Sequence, residues 1–282
     1  MTTTLDPIRP TARDGLSSPA ANHGAPFLGA ASQVAQRTLK KFVRTPQLIA
    51  ASTAQGVLFL LIFRYVFGGA FGGTGTLSYP EYLLPGFVVT GVLFSGMGAA
   101  TGIAEDMAGG LFDRLRSLPI RLLSIVTGRV WADTALVTWG LAITTAVGFA
   151  IGFRLDNGWL HGLAAFALCA LFGFVFVWVF IALGLLAGTP QAAQGLSFLV
   201  FPLTFVSSAY IPVSTMPSWM RGVASHQPMT LMSDSIRELA IGGKAQALLG
   251  HPLSTYLVPS LLWCAGILVV FAPLTVWRLR KG

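Results

Sequence analysis

The chain has 282 residues, of which 54% are hydrophobic and only 10% are charged. Soluble domains carry about 25% charged residues, so this composition excludes an ordinary soluble domain and indicates a membrane protein. The formal net charge of +8 would suggest nucleic acid as a partner of a soluble protein. Here the basic residues cluster beside apolar runs, so no nucleic-acid partner is expected.

Six apolar stretches are long enough to cross the hydrocarbon core, which takes about 20 residues. They lie at residues 47–67, 82–104, 130–153, 161–186, 194–211 and 255–277. A backbone in lipid must satisfy its own polar groups, so these stretches should be helices. The period-two pattern of barrel strands is absent. The sequence therefore predicts an all-α membrane protein with six transmembrane helices.

The part before the first span has two regions. Residues 1–31 are rich in Thr, Ala, Pro and Gly without an apolar run, which argues against a signal peptide and predicts a disordered cytoplasmic tail. Residues 32–45 predict a short amphipathic helix that Pro46 ends. Its basic side carries Arg37, Lys40, Lys41 and Arg44. Such a helix usually lies flat at the inner interface, attracted by anionic lipid; the alternative is a solvated basic leader.

The distribution of charge gives the orientation. Six spans place both termini on one side, and most of the 18 Lys and Arg residues fall on that side. Because Lys and Arg are enriched in cytoplasmic loops, both termini are predicted to be cytoplasmic.

The external stretch 212–254 does not resemble one helix, because prolines interrupt it. Its piece 229–241 is amphipathic, and there Arg237 lies between Asp234 and Glu238. We interpret the stretch as short helices that lie in or dip into the outer leaflet, where irregular backbone must be shielded by protein. An ordinary external loop with a surface helix is the alternative.

The inner loop 105–129 concentrates charge between two spans that have almost none. Phe112, Leu115 and Leu118 recur at nearly helical spacing, and Pro119 ends the segment. The pattern predicts a short helix with an apolar and a basic side, suited to docking a partner. The alternative is a solvated charge run that only enforces topology.

The motifs of several enzyme classes are absent from the sequence. It has no nucleotide-binding phosphate loop, no H-E-x-x-H and no G-x-S-x-G elbow. The histidines are scattered, and Cys169 and Cys264 lie inside predicted spans. No catalytic residue, metal site or bound cofactor is therefore expected. The spans also lack a midplane carboxylate of the kind that ion-driven carriers use. Asp133, close to a span end, can pair with Arg129.

At this point the sequence resembles a known family. Residues 105–120 read EDMAGGLFDRLRSLPI, which is similar to the loop between the second and third spans of type-2 ABC exporter permeases, especially the daunorubicin-resistance type of actinobacterial drug exporters. Residues 209–220 read AYIPVSTMPSWM, which resembles the Met-Pro-x-Trp turn of that family. Gln227 stands where the family usually has Asn. The resemblance covers residues 32–280.

The resemblance implies a permease domain at 32–282 that pairs with a second copy and with two separate ATPase subunits, which would hold ATP and Mg²⁺. The elbow helix would carry Arg37, Lys40, Lys41 and Arg44. The predicted coupling residues are Glu105, Asp106, Phe112, Asp113, Arg114, Leu115, Arg116 and Pro119. The predicted residues of the outer gate, built from re-entrant helices before the last span, are Pro212, Met216, Pro217, Trp219, Pro228 and Arg237.

The predicted function is a permease subunit in the plasma membrane that exports an amphipathic or lipophilic substrate, such as a drug, lipid or glycolipid. Two alternatives stay open. One is a membrane-embedded enzyme acting on lipid, with Asp133, His161 or His226 in its site. The other is an ion-coupled carrier that works without an ATPase.

Overall fold

The computed structural model describes residues 27–45, 54, 56–67, 77–112 and 122–281. Within these ranges every regular element is helical. The helices are α1 (Phe27–Val43), α2 (Gly56–Val66), α3 (Tyr79–Ala108), α4 (Leu122–Ala150), α5 (Trp159–Ala187), α6 (Pro190–Phe198), α7 (Phe201–Phe205), α8 (Ser218–His226), α9 (Pro228–Ile241), α10 (Gly243–Leu249) and α11 (Ser254–Lys281).

Four of the described helices, α3, α4, α5 and α11, are long and apolar enough to cross a membrane. They coincide with the predicted second, third, fourth and sixth spans, and their helical structure is confirmed. The predicted first span is described only in part, as the short apolar helix α2. Most of the tail predicted at 1–31 lies outside the described residues. Helix α1 begins at Phe27, five residues before the predicted start.

The prediction of one continuous helix at 194–211 is wrong. Helix α6 ends at Phe198, and a separate short helix, α7, covers Phe201–Phe205. Pro202 lies in the first turn of α7. Proline has no N–H to donate and disfavours helical backbone in the residue before it. Hydropathy stays high through this break, so the apolar pattern of the sequence does not reveal it.

The centre of the fold is the contact between α3 and α5, which pack along much of their length. A Cβ at Gly96 of α3 would overlap the ring of Phe180, and one at Gly184 of α5 would overlap the backbone of Ala100. Small residues let the two backbones approach, as is usual where helices pack inside lipid. This pair is the rigid element against which the other helices rest.

Two shorter helices pack on the long ones. Helix α1 lies on α4, and α9 contacts α3, α5 and α11. Every residue of α9 from Met229 to Ile241 is buried.

The prediction of broken, short helices after residue 212 is confirmed. Helices α8, α9 and α10 follow one another there, and a short 3₁₀ turn, Val213–Thr215, precedes them.

Candidate functional site

A buried arginine joins α3 and α4. Arg129 of α4 is only 7% exposed. Its Nη1 donates to Oδ2 of Asp106 at 2.6 Å, and its Nε donates to Oδ2 of Asp133 at 2.7 Å. A buried charge is tolerated only when it is paired and hydrogen-bonded, and two carboxylates meet that condition here. The predicted pairing of Arg129 with Asp133 is confirmed.

Glycine at position 102 makes this geometry possible. A Cβ on Gly102 of α3 would overlap Nη2 of Arg129. The guanidinium therefore lies directly over the backbone of α3, in space that any other residue would fill. No comparable contact surrounds Gly98, one turn earlier, where a Cβ would meet nothing within 4 Å.

Helix α1 joins the same network from its basic side. Nζ of Lys41 donates to Oε2 of Glu105 at 3.1 Å, and Nη2 of Arg37 lies 3.8 Å from Oδ1 of Asp106. These side chains of α1 are exposed, so each pair stabilises the fold by at most about 1 kcal/mol. The structure thus brings together predicted elbow and coupling residues. We call this group the inner cluster: Arg37, Lys41, Glu105, Asp106, Arg129 and Asp133.

The rest of the predicted coupling segment lies just beyond this cluster. Helix α3 ends at Ala108, and Gly110 takes a left-handed conformation with φ of 66°, which redirects the chain. Phe112 is buried in the core. The remaining predicted coupling residues, Asp113, Arg114, Leu115, Arg116 and Pro119, lie outside the described residues.

A second buried arginine lies in α9. Arg237 has no exposed surface. Its Nε and Nη2 donate to the carbonyl oxygen of Tyr82 at 3.2 and 3.0 Å, and Nη2 also donates to the carbonyl oxygen of Ser208 at 3.1 Å. Its Nη1 pairs with Asp234. The guanidinium also lies 3.9 Å from the centre of the Tyr82 ring, within cation–π range.

The partners of Arg237 bond to one another. Ser208 Oγ donates to Asp234 at 2.8 Å, and Tyr82 Oη donates to the Ser208 carbonyl at 2.8 Å. The backbone N–H of Ser208 donates to Oγ1 of Thr230 at 3.1 Å. We call these residues the outer cluster: Tyr82, Ser208, Thr230, Asp234 and Arg237. It fixes α9 to the start of α3 and to the turn that follows α7.

A tight backbone contact accompanies the outer cluster. A Cβ on Gly86 would overlap the carbonyl oxygen of Ala209. Residue 86 must therefore be glycine for the turn after α7 to lie on α3. This close approach brings the Ser208 carbonyl within reach of Arg237.

An exposed ion pair lies beyond the outer cluster. Nζ of Lys244 donates to Oδ2 of Asp156 at 2.6 Å and lies 3.7 Å from Oε1 of Glu81. The neighbouring Asp156 carboxylate raises the pKa of the Lys244 ammonium. Asn157 adds two bonds to α9, from its backbone N–H to the Ala240 carbonyl at 3.4 Å and from Nδ2 to the Leu239 carbonyl at 3.2 Å.

The other predicted gate residues have mixed surroundings. Pro228 opens α9, the helix that carries Arg237. Met216 is buried, and its carbonyl accepts a 2.7 Å bond from Nε of Arg221. Pro212 and Pro217 precede the 3₁₀ turn and α8, respectively. Trp219 is 78% exposed, so it faces away from the protein interior.

Sequence reasoning missed most of the outer cluster. Tyr82 and Ser208 bind Arg237 through backbone carbonyls. Every residue has such a carbonyl, so the residue types at these positions do not indicate the contact. Asp234, three residues before Arg237, was the one available signal. Among the residues that the structure describes, no group of His, Cys, Asp and Glu side chains could hold a metal ion.

Comparison with known proteins identifies relatives along most of the chain. The sequence profile of the family described as ABC-2 type transporter matches residues 30–240, which include both clusters. The daunorubicin resistance ABC transporter permease protein DrrB1 of Streptomyces coeruleorubidus is 33% identical over 248 residues, covering 87% of this chain and 84% of that protein.

More distant relatives cover similar lengths. The probable doxorubicin resistance ABC transporter permease protein DrrC of Mycobacterium tuberculosis is 23% identical over 251 residues, 87% of each chain. Nodulation protein J of Rhizobium leguminosarum bv. trifolii is 28% identical over 214 residues, 71% of this chain and 73% of that protein.

Proposed function

Because the chain belongs to the ABC-2 type transporter family, we propose that this permease exports an amphipathic or lipophilic drug with energy from a separate ATPase. Permeases of this family have no ATPase activity of their own, so ATP and Mg²⁺ bind to the partner subunit. The observation that carries the proposal is the inner cluster, which joins α1, α3 and α4 where the charged loop begins.

We place six spans in the membrane with both termini in the cytoplasm. The four long helices supply four of them; the segment containing α2 and the pair α6 and α7 supply the others. Helix α1 is the elbow, lying at the inner interface. The short helices after residue 212 form the outer re-entrant region. The excess of Lys and Arg near the termini and in the loop 105–129 supports this orientation.

Coupling runs through the end of α3. When ATP closes two ATPase subunits, they push on the loop that holds Asp113, Arg114, Leu115, Arg116 and Pro119. The displacement passes Phe112 and reaches the end of α3 at Asp106 and Glu105. Arg129 then carries it to α4, because the pair is buried and its bonds are short. Packed helices transmit such a push as rigid bodies.

The outer gate is organised around Arg237, with Pro212, Met216, Pro217, Trp219 and Pro228 on the segments beside it. Separating α9 from α3 would strip Arg237 of the Tyr82 carbonyl and ring in a low-dielectric environment, which costs several kcal/mol. The start of α3 and helix α9 therefore move together when the gate opens.

The substrate class follows from the surface and the relatives. Phe94 of α3, Phe198 of α6 and Phe205 of α7 are each 41–51% exposed, and the ring of Phe201 contacts all three at centroid distances of 5.0–6.3 Å. An aromatic surface of this kind suits a flat, lipophilic solute or a second copy of the chain. Two relatives are named for resistance to daunorubicin and doxorubicin.

Family membership favours this function over the two alternatives. The residues of the hypothetical lipid-modifying site are engaged elsewhere or exposed. Asp133 is paired with Arg129, His226 Nδ1 is bonded to Ser225 and the Gly222 carbonyl, and His161 lies exposed at the start of α5.

Reconstitution tests the proposal. The chain is placed in vesicles with a candidate P-loop ATPase subunit, and ATP-driven accumulation of daunorubicin is measured together with ATP hydrolysis. We expect transport only when both proteins are present. Reversing the charges of Asp113, Arg114 and Arg116 should abolish transport, whereas Arg280→Glu, a reversal near the C-terminus, should not. Transport that proceeds without the ATPase, or survives the triple reversal, would overturn the proposal.

A further inference from the structure

The four cations of α1 are not equivalent. Lys41 and Arg37 face the acidic end of α3 and pair with Glu105 and Asp106. Lys40 and Arg44 are exposed, and no acidic side chain in the described ranges pairs with either. Two positive charges on this helix are therefore paired with carboxylates of the described residues and two are not.

The packing of α1 fixes which way these cations face. Ala31 and Val34 lie against Gly128 of α4, where an added Cβ would overlap the Ala31 carbonyl and lie 2.9 Å from Cβ of Val34. At 3.6 residues per turn, Lys40 falls on the side away from this contact and Lys41 falls closer to it. This packing prevents α1 from rotating about its axis to bring Lys40 and Arg44 toward α3.

An exposed apolar strip runs beside the unbalanced cations. Leu28 is 78% exposed and Val43 is 69% exposed, and helical spacing places both on the same side of α1 as Leu39. An interfacial helix inserts such a strip among the acyl chains. The basic side next to it then stands at the level of the phosphates, since charged heads stay in the polar region while apolar groups go deeper.

Three exposed polar side chains lie on the side of α1 that faces away from its contact with α4. Gln36, Lys40 and Arg44 are spaced four residues apart, so they form one row along the helix. An amide, an ammonium and a guanidinium in one row supply hydrogen-bond donors suited to phosphate oxygens.

We propose that Gln36, Lys40 and Arg44 bind the phosphate of an anionic phospholipid of the inner leaflet, while Arg37 and Lys41 hold α1 to α3. The inference rests on the proposed function in one respect, the placement of α1 at the inner interface. The lipid's acyl chains lie along the Leu28 and Val43 strip, and its headgroup contacts the row of Gln36, Lys40 and Arg44. The elbow helix is then held by protein on one side and by one bound lipid on the other.

Lipid binding to the purified permease, without any ATPase, tests the assignment. The chain in a non-ionic detergent is titrated with phosphatidylglycerol or with phosphatidylcholine of the same acyl chains, and bound lipid is counted by native mass spectrometry. We expect phosphatidylglycerol to be retained selectively. Lys40→Gln with Arg44→Gln should weaken its binding roughly tenfold or more, since each basic residue near an anionic lipid surface contributes about 1 kcal/mol.

The matched control removes the same charge from the same helix. Arg37→Gln with Lys41→Gln should leave phosphatidylglycerol binding within about twofold of the unmodified chain, because these cations serve the protein contact. Lys40→Arg with Arg44→Lys keeps both charges and should also retain the lipid, which separates loss of the site from loss of folding.

Three results would overturn the assignment. One is unchanged phosphatidylglycerol binding after Lys40→Gln with Arg44→Gln. Another is an equal loss in both double variants, which would indicate diffuse attraction. The third is unchanged lipid binding but weaker capture of the partner ATPase, which would make this face a protein dock. Selective lipid binding by a chain that supports no ATP-driven export would refute the proposed function and leave the lipid site standing.

Discussion

Arg129 of α4 donates a 2.6 Å hydrogen bond to Asp106 of α3, across 23 residues of sequence that contain the charged loop. The bond therefore closes that loop at its base. Any displacement of the loop must either carry both helices along or break a buried ion pair, and breaking such a pair is costly.

Removing the arginine from this pair should destabilise the permease strongly. Arg129→Met leaves Asp133 buried without its cation, and breaking a buried pair in this way costs about 3–5 kcal/mol. We expect a clear fall in the midpoint of thermal unfolding in detergent. Adding Asp133→Leu should recover part of the loss, since Asp106 retains Arg37 nearby. Lys41→Gln, which breaks only an exposed pair, should change stability by less than about 1 kcal/mol.

Two glycines one turn apart should respond differently to alanine. Gly102→Ala places a methyl group where Nη2 of Arg129 lies, so the guanidinium must move away from Asp106. We expect a loss of about 1–3 kcal/mol, typical of overpacking, and a weaker stimulation of the ATPase by daunorubicin. Gly98→Ala meets open space and should leave both measurements unchanged. Equal behaviour of the two variants would contradict the described geometry.

Arg237 should not tolerate lysine. Lysine keeps the positive charge but lacks the planar fork that reaches the Tyr82 and Ser208 carbonyls at the same time. We expect Arg237→Lys to lower stability by about 2–4 kcal/mol, since buried acceptors lose their donors. Thermal unfolding checks this result, with Arg221→Lys, a partly exposed arginine of α8, as the comparison. If Arg237→Lys unfolds at the same temperature as the unmodified chain, the hydrogen bonds to the two carbonyls contribute little to stability.

The contact at Gly86 offers a test of the outer cluster that leaves every charge in place. Gly86→Ala forces the α3 backbone away from the Ala209 carbonyl, and backbone atoms cannot rotate aside as a side chain can. We expect a fall of about 2 kcal/mol or more in stability together with loss of daunorubicin export. Gly91→Ala, on the same helix but with nothing within 4 Å, is the control and should export normally.

The Lys244–Asp156 pair should contribute to stability as long as both side chains are charged. Because Asp156 raises the pKa of Lys244, the contribution is fully present below the ordinary lysine value of about 10.4 and is lost as pH rises through the raised pKa. The difference in unfolding midpoint between the unmodified chain and Lys244→Met should therefore be constant from about pH 6 to pH 9 and shrink only as the lysine loses its charge at higher pH. A difference that already disappears near pH 8 would contradict the pairing.

Much of the helical framework could be predicted because a long apolar run in lipid forms a helix, in which its backbone polar groups bond to one another. The pair of Arg129 and Asp133 was also predictable, since residues four apart on a helix face each other. The break near Pro202 was missed because Phe and Leu surround that proline and keep the segment apolar.

The polar clusters show why the rest was harder to predict. Glu105 with Lys41 and Arg37 with Asp106 connect positions more than 60 residues apart, a distance at which periodicity carries no information. The amphipathic pattern of α9 could be predicted from the sequence, but the partners of its polar side could not. In the structure that side is buried against Tyr82 and Ser208, because backbone carbonyls can satisfy an arginine as well as acidic side chains can.

The use of main-chain oxygens by Arg237 has a consequence for genetics. Substituting Tyr82 or Ser208 changes a side chain but leaves the carbonyl in place. A selection for revertants of an Arg237 variant should therefore rarely yield changes at those two codons. Compensating changes should arise instead at Asp234, because its buried carboxylate loses its cation when Arg237 is replaced and then destabilises the fold.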